Sequence, residues 1–298
     1  MRIATIHGRV ALIDGTGSAA VDVETASRGR FGPEPVGVYE RWTEFLAWAG
    51  STPLSPAEAF EPEALGSPSP NPRQVFAIGL NYSSHAAESG FARPHTSPPV
   101  FTKYPSCITG PFTDIELPPG GHTDWEVELV VVVGPVTRHV AAADAWRYVA
   151  GLAVGQDVSE RKLQMAATPP QFSLGKSYPG FGPVGPWLVT PDEFDDPDDL
   201  ELGCSINGEQ VQLGRTGELI FGVSELIEEL SRVTPLLPGD LIFTGTPSGV
   251  GVGRTPPRWL GPGDVLTSFI QGIGEMSHRF VPAGPRGQDA NSDPEEVR

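Results

Sequence analysis

The chain has 298 residues, which is enough for one large domain, or a large domain with a small companion, around a substantial core. Its 20 Lys and Arg against 37 Asp and Glu give a net charge of −17, which argues against nucleic acid or an anionic membrane as a partner. Cys107 and Cys204 lie far apart, and no apolar run approaches the roughly 20 residues that span a bilayer, so we expect a cytoplasmic protein without disulfides or a thiolate zinc site.

The first 70 residues are predicted to form a small α/β domain and a linker. Alternating apolar residues from Ile3 to Leu12 are typical of short strands, and residues 38–49 show a helical pattern. Residues 51–73 are rich in Pro, Glu and Ser, which is typical of a linker. We therefore place the main domain at residues 71–282, and we expect the polar tail, 283–298, to be disordered.

A buried strand is predicted at residues 75–80, and a loop or a short helical turn follows it. In a helical turn, His85 and Glu88 would touch, because residues three apart share a face. A carboxylate beside an imidazole raises its basicity, which suits a general base near neutral pH. The competing interpretation is a surface ion pair. Residues 89–99 would become ordered when a ligand binds.

Two glutamates, Glu126 and Glu128, lead into the β-branched run 129–133, which predicts a strand buried in a sheet. Residues two apart on a strand share a face and lie about 6.6 Å apart. Two carboxylates beside a dry sheet repel each other, so they need a cation or must take up protons. A divalent metal satisfies this need. The competing interpretation is the solvated face of an edge strand.

Asp157 follows a second predicted core strand, residues 151–155, where a third metal ligand would be expected. It is equally compatible with an N-cap of a helix at 159–166, since Asp caps helices well. Residues 175–186 are too rich in Gly and Pro for a helix or a strand, so Lys176 within them is held by turns and would neutralise an anion. The glycine loop 244–251 offers backbone N–H groups and hydroxyls to a carboxylate.

These motifs, in this order, resemble the fumarylacetoacetate hydrolase family, and the resemblance covers about residues 73–282. The segment 185–190 is similar to the branch that contains acylpyruvate and diketo-deoxy-sugar-acid hydrolases. The motifs that carry the resemblance are Gly79-Leu80-Asn81-Tyr82 with His85 and Glu88, residues 124–129, 157–159 and 175–177, Phe221, residues 238–240, and residues 244–247.

The resemblance implies a mixed α+β fold that is mostly β: a β-roll catalytic domain behind a small N-terminal α/β domain, usually in a homodimer. It also implies Mg²⁺ or Mn²⁺ held by Glu126, Glu128 and Asp157. An all-oxygen ligand set suits these hard cations better than zinc.

The resemblance also assigns roles to other side chains. His85 and Glu88 would be a catalytic dyad on a lid, and Lys176 would be a catalytic or substrate-binding cation. Substrate contacts are implied for Thr246, Gln164, Gln212, Tyr82 and Gly245. Lys162 departs from this branch, where an acidic residue often follows the arginine, and its neighbour Glu160 also varies. Both departures bear on the identity of the substrate.

The predicted chemistry is hydrolysis of a C–C bond in a 2,4-dioxo acid of the acylpyruvate, fumarylpyruvate or diketo-deoxy acid type. The metal would chelate the 2-oxo acid and stabilise a pyruvate enolate, and His85, oriented by Glu88, would activate a water. An alternative uses the same electron sink without water, in decarboxylation of an oxaloacetate-like β-keto diacid or isomerisation of a 2-hydroxydienoate. A third possibility is a non-catalytic binding protein that has kept the fold.

Overall fold

The computed structural model describes residues 1–284 apart from residues 54, 89 and 91. The predicted disordered tail therefore lies outside the described residues from position 285 onward. The strands are β1 (Arg2–Ile6), β2 (Arg9–Ile13), β3 (Ala19–Asp22), β4 (Glu58–Ala59), β5 (Leu65–Gly66), β6 (Val75–Ile78), β7 (Val100–Thr102), β8 (Ile108–Thr109), β9 (Ile115–Leu117), β10 (Thr123–Asp124), β11 (Val127–Val133), β12 (Val149–Gln156), β13 (Ser159–Glu160), β14 (Gly182–Val189), β15 (Glu201–Ile206), β16 (Glu209–Arg215), β17 (Leu241–Phe243), β18 (Val265–Ile270) and β19 (Gly274–Pro282). The α-helices are α1 (Val23–Ala26), α2 (Pro35–Glu40), α3 (Trp42–Ala49), α4 (Ser83–Glu88), α5 (Arg161–Gln164) and α6 (Val223–Val233), and short 3₁₀ turns lie at Pro62–Ala64, Pro105–Cys107, Ala142–Tyr148, Pro191–Glu193 and Thr216–Glu218.

Two sheets dominate the described part of the chain. The larger has 12 strands, with the main order β4-β3-β2-β1-β14-β12-β11-β17-β6-β7, and the smaller has the order β16-β15-β18-β19-β9. Neighbouring strands are mostly antiparallel, with parallel pairs at β6–β17, β8–β14 and β9–β19. The predicted fold class, mixed α+β and mostly β, is confirmed.

Strand β11 lies between two apolar layers, because successive side chains point to opposite faces of a strand. Its odd-numbered residues Leu129 and Val131 pack in a core that includes the smaller sheet and helix α6. Its even-numbered residues Val130 and Val132 pack in a second core that includes helices α2 and α3. The continuous apolar run at 129–133 is explained by this burial on both faces.

Gly155 in β12 lies where β11 and β17 leave no room for a side chain. A Cβ atom there would be 2.3 Å from Val130 Cγ2 and 3.0 Å from the Phe243 ring. We expect Gly155→Ala to lower the free energy of unfolding by about 1–3 kcal/mol through overpacking, as measured by urea denaturation. Gly15→Ala is the matched control, because no atom lies within 4 Å of its added Cβ. Equal stabilities of the two variants would contradict this packing.

The N-terminal strands continue the larger sheet. Arg2 and Ile3 of β1 pair with Val189 and Leu188 of β14. Aromatic side chains of the N-terminal helices, including Trp42 and Phe45, pack in one core with Val130 and Val132 of β11. Residues 1–70 therefore share a sheet and a core with the rest of the chain, and a domain boundary near residue 70 stays a prediction.

One expectation about secondary structure is wrong. The segment 175–186 was expected to be neither helix nor strand, yet β14 begins at Gly182 and includes Pro183 and Pro186. The strand pairs with β12 through an irregular register between Leu152 and Val154. Proline is tolerated beside such irregularities, because its missing N–H then breaks no ladder hydrogen bond.

The described part of the chain contains no helix that is long and apolar enough to cross a membrane.

Candidate metal centre and active site

Three buried carboxylates converge where β11 begins and β12 ends. Glu126 comes just before β11, and Asp157 comes just after β12. The two strands are antiparallel neighbours, and the Asp157 N–H donates to the Glu126 carbonyl oxygen at 2.9 Å. One carboxylate oxygen each of Glu126, Glu128 and Asp157 lies within 4.8 Å of the others. The predicted ligand set is therefore brought together by one strand pairing.

Asp157 does not cap a helix. Glu160 caps helix α5 instead, with its carboxylate accepting from the backbone N–H groups of Lys162 and Leu163. The Asp157 carboxylate points into the cluster and accepts from two lysine ammonium groups. The N-cap alternative is thus excluded, and Asp157 remains available to a metal.

Cationic side chains surround these carboxylates. Lys176 Nζ lies 2.7 Å from Glu126 Oε2 and 2.6 Å from Asp157 Oδ2. Lys103 Nζ lies 2.7 Å from Asp157 Oδ1 and also donates to the Lys176 carbonyl oxygen. Arg161 Nη2 lies 2.7 Å from Glu126 Oε1. The anions that Lys176 neutralises in this structure are the carboxylates of Glu126 and Asp157.

Burial and neighbouring charges shift the pKa values of Glu126 and Glu128 in opposite directions. Burial opposes ionisation of Glu126, but the charges of Lys176 and Arg161 outweigh it and lower its pKa. Glu128 is also buried and faces the charges of Asp157 and Glu126, so its pKa is raised well above the ordinary value. The Glu128 carboxylate accepts a hydrogen bond from the Gly245 N–H at 2.7 Å. Glu128 is therefore the carboxylate that the protein's cations leave least compensated.

This donor set fits a hard divalent cation. The three side chains offer only carboxylate oxygens, which Mg²⁺ and Mn²⁺ prefer over the softer ligands that select zinc or copper. Burial, together with the charges of Asp157 and Glu126, raises the pKa of Glu128, so a cation beside it would favour its ionised form. A divalent ion would supply such a positive charge to Glu126, Glu128 and Asp157.

His85 and Glu88 form the predicted contact on helix α4. His85 Nδ1 lies 2.9 Å from Glu88 Oε1, and Glu88 also accepts from the Gly249 N–H at 2.9 Å. His85 is only 7% exposed, so a surface ion pair is excluded. Because Glu88 takes up Nδ1, the Nε2 atom of His85 is left for proton transfer.

The His85–Glu88 pair and two of the three carboxylates of the candidate metal centre line one cavity of about 230 Å³. Of the predicted site residues, those that line it are His85, Glu88, Glu126, Glu128, Gln164, Lys176 and Thr246. Arg161 lines the cavity as well, and Gln164 accepts a hydrogen bond from its Nη1 at 2.9 Å. The predicted dyad and two of the three predicted ligands thus share one chamber.

The remaining predicted contacts lie behind the cavity wall. Gln212 accepts from the Val127 N–H at 3.0 Å and donates to Thr246 Oγ1 at 2.8 Å. The Gly245 N–H does bind a carboxylate, but it is that of Glu128. Tyr82 is 1% exposed, and its hydroxyl has no hydrogen-bond partner among the described residues. Gln212, Gly245 and Tyr82 are not among the described residues that line this cavity, and their contact with a substrate stays a prediction.

A model of the fumarylacetoacetate (FAA) hydrolase C-terminal family matches residues 74–281, well over half of the chain. The chain belongs to the fumarylacetoacetate hydrolase family. It is an enzyme of this family, whose relatives include hydrolases, isomerases and an oxaloacetate tautomerase.

Similar proteins differ in the reactions that their names describe. The human mitochondrial oxaloacetate tautomerase FAHD2A is 42% identical over 215 residues, which are 72% of this chain and 68% of the relative. A crystal structure of a provisionally named HpcE protein from Mycobacterium smegmatis is 54% identical, with a TM-score of 0.90 over 95% of this chain and 100% of that one. Maleylpyruvate hydrolase from Sphingobium sp. SYK-6, solved with manganese(II) and pyruvate, is 26% identical, with a TM-score of 0.75 over 95% and 100% of the two chains.

Lys103 is a site residue of this family member that the sequence reasoning missed, and its removal should be costly. It is fully buried beside Asp157, and breaking a buried ion pair costs about 3–5 kcal/mol. We expect Lys103→Met to melt at a lower temperature in chelator and to gain more stability than the wild type when Mn²⁺ is added. Lys162→Met is the control, because Lys162 Nζ donates to the exposed Gly120 carbonyl oxygen and pairs with no carboxylate of the described residues. A Lys103→Met variant as stable as this control would contradict the assignment.

Proposed function

We propose that the enzyme hydrolyses the C3–C4 bond of a small 2,4-dioxo acid to give pyruvate and a carboxylic acid. The observation that carries the proposal is the shared cavity, in which the His85–Glu88 pair and the carboxylates of Glu126 and Glu128 line the same walls. Hydrolysis of a β-diketone requires a base near a Lewis acid, and these carboxylates would hold a Lewis-acidic cation beside His85.

His85 is the proton carrier in this proposal. Its Nε2 accepts a proton from water as the water oxygen adds to C4. The C3–C4 bond then breaks, its electron pair moves onto C3 and the 2-oxo oxygen, and the imidazolium returns the proton to C3. Glu88 holds the ring through Nδ1 and stabilises the transient positive charge.

Lys176 acts through its charge. Burial opposes its ionisation, but Asp157 and Glu126 outweigh that effect and raise its pKa, so it stays an ammonium. We therefore assign it electrostatic support of the charge that develops near the carboxylates. Mg²⁺ or Mn²⁺ held by Glu126, Glu128 and Asp157 would supply Lewis acidity towards the carboxylate and 2-oxo oxygens of the substrate.

Keto–enol tautomerisation of a 2-oxo diacid is the second candidate function. It is supported by the 42% identity to the relative named as an oxaloacetate tautomerase. This reaction moves a proton at C3 and needs no water, so His85 would exchange the proton with carbon directly. Decarboxylation of an oxaloacetate-like acid and isomerisation of a 2-hydroxydienoate draw on the same charged groups.

An assay panel separates these candidates. Acylpyruvates, oxaloacetate and diketo-deoxy sugar acids would each be incubated with Mg²⁺ or Mn²⁺, and loss of enol absorbance would be followed together with product analysis. Hydrolysis yields pyruvate or its hydroxylated equivalent with one molecule of water consumed. Tautomerisation of oxaloacetate changes the absorbance and leaves the carbon skeleton intact. Absence of hydrolysis with every dioxo acid would reject the leading proposal.

Three further properties belong to the same proposal. We infer a homodimer in the cytoplasm. We also infer that neither nucleic acid nor a membrane is a partner, because the net charge of −17 disfavours both. Sedimentation of the purified protein at several concentrations tests the dimer.

A further inference from the structure

We propose that the distal group of the substrate, the acyl part beyond C4, is uncharged and apolar. The inference rests on the proposed hydrolytic function and refines it. It excludes diacids, in which that group ends in a second carboxylate, as the preferred substrates. The division of the cavity wall into a charged part and an apolar part carries the argument.

The apolar part of the wall is contributed by separate segments of the chain: Ile78, Phe101, Met165, Phe172 and Val252. The rings of Phe101 and Phe172 meet edge to face, with centroids 5.6 Å apart. Phe101 also lies at the border of the charged part, because Lys176 Nζ is 5.3 Å from its ring centroid. A ligand with its 2-oxo acid end at the carboxylates therefore has its other end available to these aromatic and aliphatic groups.

A second substrate carboxylate would find no spare positive charge on the described lining. The lysine and arginine there are Lys176 and Arg161. Lys176 is paired with Glu126 and Asp157, and Arg161 lies 2.8 Å and 2.7 Å from carboxylate oxygens of Asp124 and Glu126. Burying a charge without a partner is costly.

The titratable groups on the same lining make this cost larger. His85 faces Glu88, so a proton on the imidazole is already matched by a carboxylate. Glu88 also lines the chamber, and its carboxylate would repel an anionic distal group. An alkyl or aryl acyl group avoids this repulsion and gains apolar contact.

The positions of Met165 and Val252 indicate that the cavity accepts distal acyl groups of different sizes. They are 48% and 39% exposed, so they lie at the solvent side of the cavity. Methionine is unbranched and adapts to differently shaped neighbours. We therefore expect several acyl chain lengths to be accepted, provided that they are uncharged.

The test compares two substrates of nearly equal shape, 4-methylpentanoylpyruvate and succinylpyruvate, in which an isopropyl group replaces a carboxylate. With Mn²⁺ at physiological ionic strength, we expect kcat/KM to favour the isopropyl compound by roughly 100-fold, the upper range for discrimination in an apolar pocket. Phe172→Arg, which adds a cation to the wall, should reduce this preference at least tenfold. Leu174→Arg is the control, because Leu174 is 58% exposed and does not line the cavity; its preference should match the wild type.

Failure of the inference and failure of the proposed function give different results. If succinylpyruvate is hydrolysed as well as its apolar counterpart or better, the inference is overturned while the hydrolytic function stands. If neither these two compounds nor any other dioxo acid of the panel is hydrolysed, the proposed function fails, and calorimetric binding of the same two compounds with Mn²⁺ decides the inference. Tighter binding of the isopropyl compound would then support an apolar distal site, and tighter or equal binding of succinylpyruvate would reject it.

Discussion

Replacing Glu128 by Gln is expected to lower kcat/KM roughly 10³-fold, since metal stabilisation of developing charge contributes several kcal/mol and each 1.4 kcal/mol changes a rate tenfold. The change removes one carboxylate from the proposed ligand set. The amide oxygen of the new side chain can still accept the hydrogen bond from the Gly245 N–H. We therefore expect the fold to be retained.

Glu128→Gln should also change the pH dependence of stability. Burial and the charges of Asp157 and Glu126 raise the pKa of Glu128. A carboxyl whose pKa is raised on folding stabilises the folded state at low pH, and this contribution is lost as the pH rises through the raised value. In chelator, Glu128→Gln should therefore match the wild type in acid and exceed it in melting temperature as the pH rises above the ordinary carboxyl range. Thermal melts across that range check this expectation.

Glu126→Ala is the informative comparison for Glu128→Gln. It should also abolish turnover, but it removes one of the two carboxylate partners of Lys176 and one of the two of Arg161. Weakening two buried ion pairs is destabilising, so this variant should lose stability as well as activity. Substantial activity in either variant with metal chelated would contradict the proposed metal centre. A large loss of stability in Glu128→Gln would contradict the charge imbalance inferred at that position.

Replacing His85 by Ala should lower C–C hydrolysis by roughly 10²–10⁴-fold, the usual contribution of a general base. Decarboxylation of oxaloacetate should fall much less, because that reaction needs an electron sink and no activated water. Both rates would be measured on the same preparation with Mn²⁺, followed by product analysis. The comparison is informative because His85 is not one of the three residues that would hold the metal.

Glu88→Gln is the matched control for His85→Ala. It keeps the shape of the side chain but removes the charge that faces His85 Nδ1. We expect a smaller loss of kcat/KM for hydrolysis than in His85→Ala, because the imidazole remains and only its carboxylate partner is lost. Hydrolysis within about tenfold of wild type in His85→Ala would reject His85 as the base.

The sequence predicted those features that depend on strand or helix periodicity over a few neighbouring residues. The β-branched run at 129–133 predicted the central strand, and the parity of Glu126 and Glu128 placed both on one face. The spacing of His85 and Glu88 predicted their contact on a helical turn. Each of these inferences depends on residues within a few positions of one another, where helix and strand periodicity is decisive.

The charged groups around the carboxylates could not be found in this way. Lys103 meets Asp157 across 54 positions of sequence, and Arg161 meets Asp124 across 37. No periodicity links such residues, because their contact depends on the pairing of distant strands. A weak signal existed for Arg161, since a helix that starts just after a predicted metal ligand points its first turn towards the site.

The role of Asp157 and the strand within the segment 175–186 could not be decided from the sequence, for a related reason. An Asp before a helix can be a cap or a ligand, and only the position of Glu160 in the folded chain decides between them. Glycine and proline weaken a strand when it is considered alone. The pairing of β14 with β12 and β1 overrides that local preference.

The packing of α2 and α3 on the larger sheet limits how the chain can be divided. The match to the family model begins at residue 74, yet Trp42 and Phe45 cover the side of β11 that carries Val130 and Val132. An excised fragment 71–282 would expose that apolar face to water and free an edge of β14 for intermolecular pairing. Such a fragment should aggregate on expression, so the shortest chain that carries the active site must include the segment that lies outside the family match.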